Sequence, residues 1–383
     1  MRRVAVLGGG PAGAVAAERL ASAGVETIVL DEKLAWEKPC GGGITSKAYD
    51  RYPFLIENDT PKRVVTETTI AAPVAGSATM TLSKPLLIYS RYDLNRMLLE
   101  RAARAGANVE KARVLGMDPE GSRWRIRTSK GDWDTDFCIV ATGARNPLRN
   151  AGTEWQAADT STALGYFVPS NQAHIDIQFL PKLEGYIWVF PRCGHLSVGI
   201  CGKGESAAKL RVRLEEYMAE KGIDKKDATF YGHMLPSLET PRWRSNRVSG
   251  DGWLAVGDAA GLVDPITGEG IYYAVRSGDL ASEALLSGDP AAYRQRLKRD
   301  FLDDLEFGAS LAKRVFLGRF LFQSVPARIV QFMRRSPLFY GLMQDVFAGT
   351  LDYLELKERL LRQLNGTLHE LALNKFLRRV VLG

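Results

Sequence analysis

The glycine-rich start of the chain constrains its fold more than any other feature. The apolar run Val4–Leu7 leads directly into a Gly-x-Gly-x-x-Gly motif, and a helical pattern follows over 14–23. In this strand–turn–helix setting the glycines allow a tight turn, close approach of the backbone to phosphates, and close helix–strand packing. The pyrophosphate of a dinucleotide then lies at the positive N-terminus of the helix. The residues expected at this site are Gly8, Gly10, Pro11, Ala12 and Gly13.

A second predicted strand, Thr27–Leu30, ends at two acids, Asp31 and Glu32. An acid about 20 residues beyond the glycines is the expected partner of a ribose hydroxyl. We expect Asp31 in this role because it directly follows the apolar run, with Glu32 as the alternative. NAD and FAD both use this arrangement, so the motif alone does not choose between them.

Size and charge set broad limits. A chain of 383 residues predicts two or three domains. Its four cysteines show no Cys-x-x-Cys spacing and its four histidines are scattered, so we expect reduced thiols and no metal site. With no signal peptide and no long apolar run, the expected location is cytoplasmic. We expect a monomer.

One segment has an unusual balance of charge. Residues 307–344 contain no acid but six basic residues among many Phe, Leu, Val and Met. One interpretation is a helical cap with solvated basic groups. The other is peripheral contact with the inner face of an anionic membrane. No motif indicates binding to nucleic acid.

The order of predicted elements indicates an α/β fold. We expect a discontinuous Rossmann-like nucleotide-binding domain (1–62, 85–157 and 240–300), interrupted by a β-sheet substrate domain (63–84 and 158–239). A C-terminal helical region (301–383) follows. Ligands often bind where two domains meet.

A second glycine-rich block begins at the buried strand Trp253–Val256. The strand delivers Asp258 at its carboxyl end, and a Pro-x-x-Gly-x-Gly sequence then opens a helix. An aspartate at such a position can hold the ribityl hydroxyls of a flavin. The amides of Gly268 and Gly270, at a helix N-terminus, can face the electron-rich edge of a reduced isoalloxazine. This block favours FAD over a nicotinamide.

Two further elements suggest a substrate pocket. Cys40 begins a loop of three glycines, where the backbone can approach a flat ligand closely. Tyr186, Trp188 and Phe190 alternate, so they project from one face of a strand, as either core residues or the wall of an apolar pocket. Pro191 predicts that this strand lies at a sheet edge.

Together these elements resemble the geranylgeranyl reductase family of FAD-dependent oxidoreductases, which has a p-hydroxybenzoate hydroxylase-type fold. The resemblance covers residues 1 to about 290 and rests on the two glycine-rich blocks, on Lys38-Pro-Cys-Gly-Gly-Gly43, and on the Tyr-x-Trp-x-Phe-Pro element with Val198-Gly199. It implies FAD as cofactor. The electron donor stays open, with NADPH and ferredoxin as the candidates. The resemblance also implies that Cys40 has a redox or gating role. Tyr186, Trp188 and Phe190 are implied to line a pocket beside the flavin. The resemblance extends the cofactor set to Cys40, Gly41, Gly42, Arg91, Val114, Ala141, Thr142, Gly143, Pro265 and Ile271.

The resemblance implies a reductase that adds hydrogen across carbon–carbon double bonds of an isoprenoid or lipid. Cys40 and Tyr186 are the side chains to test as proton donors. An oxygen-using halogenase or monooxygenase of the same fold is the alternative. However, Thr142 replaces an aspartate that helps the hydroxylases use NADPH. Lys84 could be proposed as the lysine that halogenases need, but its Ser-Lys-Pro setting is not typical of them. A lipid carrier that keeps FAD as a structural element is a third, weaker reading.

Overall fold

A computed structural model of the chain describes residues 3–148, 151–320, 322–360 and 362. The strands in these ranges are β1 (Arg3–Leu7), β2 (Glu26–Asp31), β3 (Gly43–Ile44), β4 (Lys62–Ala72), β5 (Gly76–Tyr89), β6 (Asn108–Lys111), β7 (Val114–Glu120), β8 (Arg123–Thr128), β9 (Gly131–Thr135), β10 (Phe137–Val140), β11 (Thr160–Val168), β12 (Ile175–Phe179), β13 (Glu184–Pro191), β14 (Leu196–Lys203), β15 (Thr229–Pro236), β16 (Ser249–Gly250), β17 (Trp253–Ala255), β18 (Arg319–Phe320) and β19 (Gln323–Ser324).

The α-helices of the same ranges are α1 (Pro11–Ser22), α2 (Ser46–Arg51), α3 (Arg91–Arg104), α4 (Ala207–Glu220), α5 (Thr240–Ser245), α6 (Ile271–Leu286), α7 (Tyr293–Leu297), α8 (Asp303–Leu317), α9 (Val325–Met333) and α10 (Pro337–Ala348). None of the helices in the described ranges is long and apolar enough to cross a bilayer.

The chain divides into two compact units. The first unit comprises the residues up to Cys40, Ser90–Ser161 and Met234–Ala309; the second comprises Gly41–Tyr89, Thr162–His233 and the described residues from Ser310. These boundaries group 41–62 and the C-terminal helices with the β-rich part, whereas the sequence prediction placed them elsewhere. Residues 363–383 of the predicted helical region lie outside the described ranges.

The first unit contains a six-stranded sheet with the order β16-β17-β10-β1-β2-β6, parallel except at β16. Small residues let helices approach it closely. A Cβ on Gly13 would lie 2.0 Å from the carbonyl oxygen of Gly8, and a Cβ on Gly278 would lie 2.3 Å from that of Ala12. Helices α1 and α6 therefore pack backbone to backbone, which fixes both N-termini at the carboxyl edge of the sheet.

The second unit is built on an eight-stranded sheet with the order β15-β11-β14-β13-β12-β4-β5-β3. One face of its central strands is covered by α4. The buried cluster there includes Ile187 and Val189 of β13, Val198 of β14, and Leu210 and Leu214 of α4. Because side chains alternate along a strand, Tyr186, Trp188 and Phe190 occupy the opposite face.

The mixed α/β class predicted from sequence is confirmed. The Oγ of Ser90 caps α3 by accepting the backbone N–H of Asp93. Two local expectations are wrong. Pro191 does end β13, yet β13 lies between β12 and β14 and not at an edge. The segment after Phe301 is not wholly helical, since β18 and β19 form a hairpin there.

Candidate active site

The glycine-rich loop forms a cradle at the carboxyl end of β1. Gly8 has a φ of +121°, and a Cβ there would lie 2.2 Å from the carbonyl oxygen of Ala141, just beyond β10. Helix α1 begins at Pro11, with Gly10 as its N-cap and no side chain capping it. A Cβ on Gly10 would meet no atom within 4 Å, so the space beside the helix N-terminus is open. Both properties suit a pyrophosphate group.

Asp31 closes this loop from the end of β2. One of its carboxylate oxygens accepts the N–H of Gly9 at 2.8 Å, and the other accepts those of Lys33 and Leu34 at 2.7 and 2.6 Å. A carboxylate offers about four lone-pair sites, so one more hydroxyl can be accommodated. Glu32 is instead exposed and lies 3.3 Å from Arg113.

Arg91 is a buried cation at the start of α3. The residue is only 4% exposed. One terminal nitrogen donates to the amide oxygen of Asn95 at 3.3 Å, while its Nε is buried without a hydrogen-bond partner. Burying an unsatisfied donor costs free energy, so the site is suited to an anionic or hydroxyl-rich ligand.

Glu37 organises the same end of α3, a feature that the sequence did not reveal. Its carboxylate accepts the backbone N–H groups of Arg91 (3.0 Å) and Tyr92 (3.2 Å) and the hydroxyl of Ser90 (2.6 Å). An anion at a helix N-terminus is stabilised by the free amides and the helix dipole. Glu37 thus fixes the backbone from which Arg91 projects.

Asp258 lies in the turn that follows β17. Its carboxylate oxygen Oδ2 forms an ion pair with the Nζ of Lys38 at 2.9 Å. The preceding Gly257 has a φ of +57°, and its N–H donates to the hydroxyl of Ser277 on α6. The strand-end aspartate is therefore held in a glycine-dependent turn, as the sequence predicts, but next to a lysine from the Cys40 loop.

The second glycine-rich turn is ordered by Asp264, which the sequence analysis did not single out. Its side chain accepts the N–H groups of Ile266 (2.8 Å) and Thr267 (2.9 Å). Gly268 has a φ of +71°, and Gly270 is the N-cap of α6 with no side-chain hydrogen bond. Pro265 lies within this turn and Ile271 is the first residue of α6.

The other predicted cofactor residues lie at neighbouring strand ends of the first unit. Thr142 follows Ala141 beyond β10, and its hydroxyl donates to the side-chain oxygen of Asn146 at 2.8 Å. Gly143 has a φ of +78°. Val114 begins β7, next to the end of β6 in the chain. The predicted roles of all these residues toward FAD remain proposals.

In the second unit, the glycines after Cys40 pack against an aromatic ring. A Cβ on Gly41 would lie 2.7 Å from the ring of Phe190, and one on Gly43 would lie 3.1 Å from it. Gly42, with a φ of +83°, pairs through its carbonyl oxygen with the N–H of Tyr89. Phe190 therefore supports this loop.

Arg192, two residues beyond Phe190, supports the same loop and was not predicted from sequence. It is only 1% exposed. Its Nε donates to the carbonyl oxygen of Gly41 at 3.4 Å, and its guanidinium lies 5.1 Å from the ring centre of Phe167. Its position directly after the Tyr-x-Trp-x-Phe-Pro element is the sequence feature that could have indicated it.

Trp188 lies flat on the sheet over a glycine. A Cβ on Gly199 would come within 2.2 Å of its indole ring. The indole N–H donates to the hydroxyl of Ser197 at 3.3 Å, and that hydroxyl lies 3.0 Å from the hydroxyl of Tyr231. The ring is thereby fixed in position by packing and by buried hydrogen bonds.

Tyr186 extends this aromatic face toward α8. Its ring stacks with that of Phe316 at 6.5 Å and an angle of 14°, and it meets Trp188 edge-on at 6.2 Å. Phe179, opposite Tyr186 in the register of β12 and β13, also contacts Phe316. The result is a continuous apolar wall that runs from Phe190 to Phe316.

The residues of the first unit fit FAD. The glycine cradle, the open helix N-terminus, the buried unpartnered Nε of Arg91 and the strand-end carboxylates Asp31 and Asp258 are the groups that phosphates, ribose and ribityl hydroxyls need. Together with the parallel sheet, they define an FAD-dependent oxidoreductase.

Comparisons with known proteins agree. A family model described as pyridine nucleotide-disulphide oxidoreductase matches residues 2–164. The chain is 32% identical over 320 residues to the chloroplastic geranylgeranyl diphosphate reductase of Arabidopsis thaliana, and this alignment covers 75% of this chain and 66% of that protein. It is 31% identical over 339 residues to the Nicotiana tabacum protein of that name, with coverage of 79% and 70%. A solved structure, a geranylgeranyl bacteriochlorophyll reductase-like protein from Thermoplasma acidophilum, superposes with a TM-score of 0.77 at 22% identity, covering 94% of this chain and 99% of that chain.

The chain belongs to the geranylgeranyl reductase family, and FAD is its cofactor. It spans about two thirds of the length of the Arabidopsis relative, 66%.

Proposed function

We propose that the protein reduces carbon–carbon double bonds of an isoprenoid chain, carried either on a diphosphate or on a lipid. The apolar wall of the second unit is the observation that supports this function. Tyr186, Trp188 and Phe190 share it with Ile177 and Phe179 of β12. Tyr186 and Phe190 are its partly exposed members, and aromatic rings of this kind suit contact with a hydrocarbon chain.

FAD, when bound in its reduced form, supplies the reducing equivalents for this chemistry. The protein then has to hold the alkene, exclude water and deliver a proton. Trp188 is well suited to orienting a chain because its ring is fixed over Gly199 and anchored through Ser197. The thiol of Cys40 and the hydroxyl of Tyr186 are the proton-donor candidates, and both residues are only partly exposed.

An oxygen-using halogenase receives no support from Lys84. Its Nζ lies 2.6 Å from the carboxylate of Asp50, and both side chains are about half exposed. A lysine that handles a reactive oxidised halogen would have to lie in a protected site. The reductase is therefore the function that we favour.

We further propose that residues 307–344 bring the protein to an anionic membrane, where a lipid-borne substrate resides. The segment combines six basic residues with no acid. Its neighbours in sequence, Glu306 and Asp345, pair with Arg244 and Arg359 and so add little negative charge.

The decisive experiment is anaerobic. The FAD of the purified protein is reduced, geranylgeranyl diphosphate or an isoprenoid lipid is added, and flavin absorbance is followed. We expect reoxidation and a product heavier by two hydrogens per reduced bond. The fully saturated analogue of the same chain is the matched control and should leave the flavin reduced. Reoxidation by oxygen alone, with no response to any isoprenoid, would contradict the proposal.

A further inference from the structure

The hairpin formed by β18 and β19 carries the most exposed aromatic side chain of the described residues. Phe322 is 93% exposed, and Phe320 on the preceding strand is also exposed. Arg319 pairs with Ser324, and Phe320 pairs with Gln323, so Phe322 lies in the connection between the two strands. A hairpin connection normally carries polar residues or glycine.

The backbone of this turn makes its sequence more unusual. Phe322 has a φ of +67°, a conformation that a bulky residue adopts only at a cost. Glycine, asparagine or aspartate would adopt this φ with less strain and would also tolerate exposure to water. An aromatic residue held outward in a strained turn indicates a function outside the fold of the unit.

Phe320 begins a ladder of aromatic rings on the surface of the C-terminal helices. Its ring lies 6.3 Å from that of Phe332 on α9, which lies 5.5 Å from that of Phe339 on α10. Both Phe332 and Phe339 are partly exposed, and Leu338 beside them is exposed. The hairpin tip is therefore the most prominent part of an extended apolar surface, not an isolated exposed residue.

Arginines border this surface. Arg319 donates to the carbonyl oxygen of Phe322 (3.0 Å), and Arg334 donates to that of Ala75 (3.2 Å). Carbonyl oxygens are neutral, so these contacts orient the two guanidinium groups without cancelling their charge. Each basic group near an anionic bilayer contributes about 1 kcal/mol to binding.

From this combination we infer that the β18–β19 hairpin inserts Phe320 and Phe322 into the headgroup boundary of an anionic lipid bilayer. The arginines then contact lipid phosphates, and the aromatic ladder lies against the interface. The occupant is a bilayer because exposed aromatic rings bordered by positive charge complement an anionic interface on both counts. This inference rests on the proposed lipid substrate for its purpose but not for its evidence.

The test uses the full-length holoprotein with phosphatidylcholine vesicles, with and without 30% phosphatidylglycerol at about 0.1 M salt. We expect cosedimentation with the anionic vesicles only, weakened as salt rises. The double variant F320S/F322S should lose on the order of tenfold or more in vesicle affinity, since each ring contributes buried apolar area. Val212→Ser removes another exposed apolar residue, on α4, and should bind like the unsubstituted protein.

A second readout locates the hairpin directly. The variant Phe322→Trp adds one tryptophan to the seven native ones. We expect brominated lipid in anionic vesicles to quench the additional fluorescence of this variant, measured as the difference from the unsubstituted protein. Equal vesicle binding by F320S/F322S and the unsubstituted protein, or no such quenching, would overturn the inference. Self-association abolished by F320S/F322S without vesicle binding would also overturn it, in favour of a second copy of the chain.

Failure of this inference is distinguishable from failure of the proposed reductase. With dispersed geranylgeranyl diphosphate, F320S/F322S should reoxidise reduced flavin as fast as the unsubstituted protein. Vesicle binding without any response to isoprenoids would support the membrane surface and contradict the reductase. Turnover of the dispersed substrate without vesicle binding would support the reductase and contradict the membrane surface.

Discussion

The Nζ of Lys38 lies 2.9 Å from the carboxylate of Asp258, although 220 residues separate them in the chain. Lys38 stands two residues before Cys40, and Asp258 closes the turn after β17. The ion pair therefore links the two segments of the first unit that we expect to contact FAD. Both side chains are mostly buried, so the pair is screened less than a surface salt bridge.

Replacing Asp258 with Ala should weaken FAD binding by about 2 kcal/mol, roughly thirtyfold in Kd, because a charge-assisted hydrogen bond to the cofactor is lost. Fluorescence titration of the apoprotein measures the change. Lys38→Met is the matched control. If it weakens binding as much as Asp258→Ala, Asp258 acts by holding Lys38 and not by contacting the ribityl chain. Full flavin content in both variants would contradict the assignment.

Replacing Arg91 with Met should have opposite effects on binding and stability. The Kd for FAD should rise on the order of tenfold or more, since a buried cation is lost from the site. The apoprotein should be as stable or more stable, because a buried charge with an unpartnered Nε is removed. Arg96→Met, at a more exposed position of α3, is the control. A large loss of apoprotein stability would assign Arg91 to the fold alone.

Cys40→Ala should retain FAD yet slow the anaerobic reoxidation of reduced flavin by isoprenoid, by roughly ten- to a hundredfold if the thiol moves a proton. Stopped-flow absorbance gives the rate directly. Cys193→Ala, which removes an exposed thiol, should leave the rate unchanged. Unchanged rates for Cys40→Ala would make Cys40 a structural residue of the loop.

Gly41→Ala should destabilise the second unit by about 1–3 kcal/mol, because its new Cβ would lie 2.7 Å from the ring of Phe190. Phe190→Leu in the same chain should recover much of that loss by making room. Thermal unfolding of the single and double variants yields the coupling. Additive effects would show that the two residues do not touch in solution.

The four cysteines should differ in their reaction with iodoacetamide at pH 8. Burial raises the pKa of Cys201 to about 11 and also raises the pKa of Cys138, so both are neutral thiols at pH 8. Cys40 and Cys193 are more exposed and should be alkylated in the native protein, as mass spectrometry of peptides would show. Unfolding in urea should make all four reactive. Rapid native labelling of Cys201 at pH 8 would contradict its burial.

The sequence predicted most of the first unit because its signals are local. The glycine motif, the strand-end acids and the helix Ile271–Leu286 each depend on a few consecutive residues. What it missed depends on distant contacts. Nothing near Lys38 indicates Asp258, and nothing near Gly41 shows that Phe190 fills the space of its missing side chain. The same limit explains the misplaced sheet edge at Pro191, since strand order is not written in a single strand.

The seating of Trp188 on Gly199 restricts the order in which these positions can change in evolution. A side chain at Gly199 would overlap the indole, because its Cβ would lie 2.2 Å away. A lineage must therefore first replace Trp188 with a smaller residue and only then enlarge Gly199. The reverse order passes through an intermediate that this overlap destabilises. If the wall holds an isoprenoid chain, descendants that prefer shorter or branched chains should carry both a smaller residue at position 188 and a larger one at position 199. Ancestors that carry only one of these changes should carry the one at position 188.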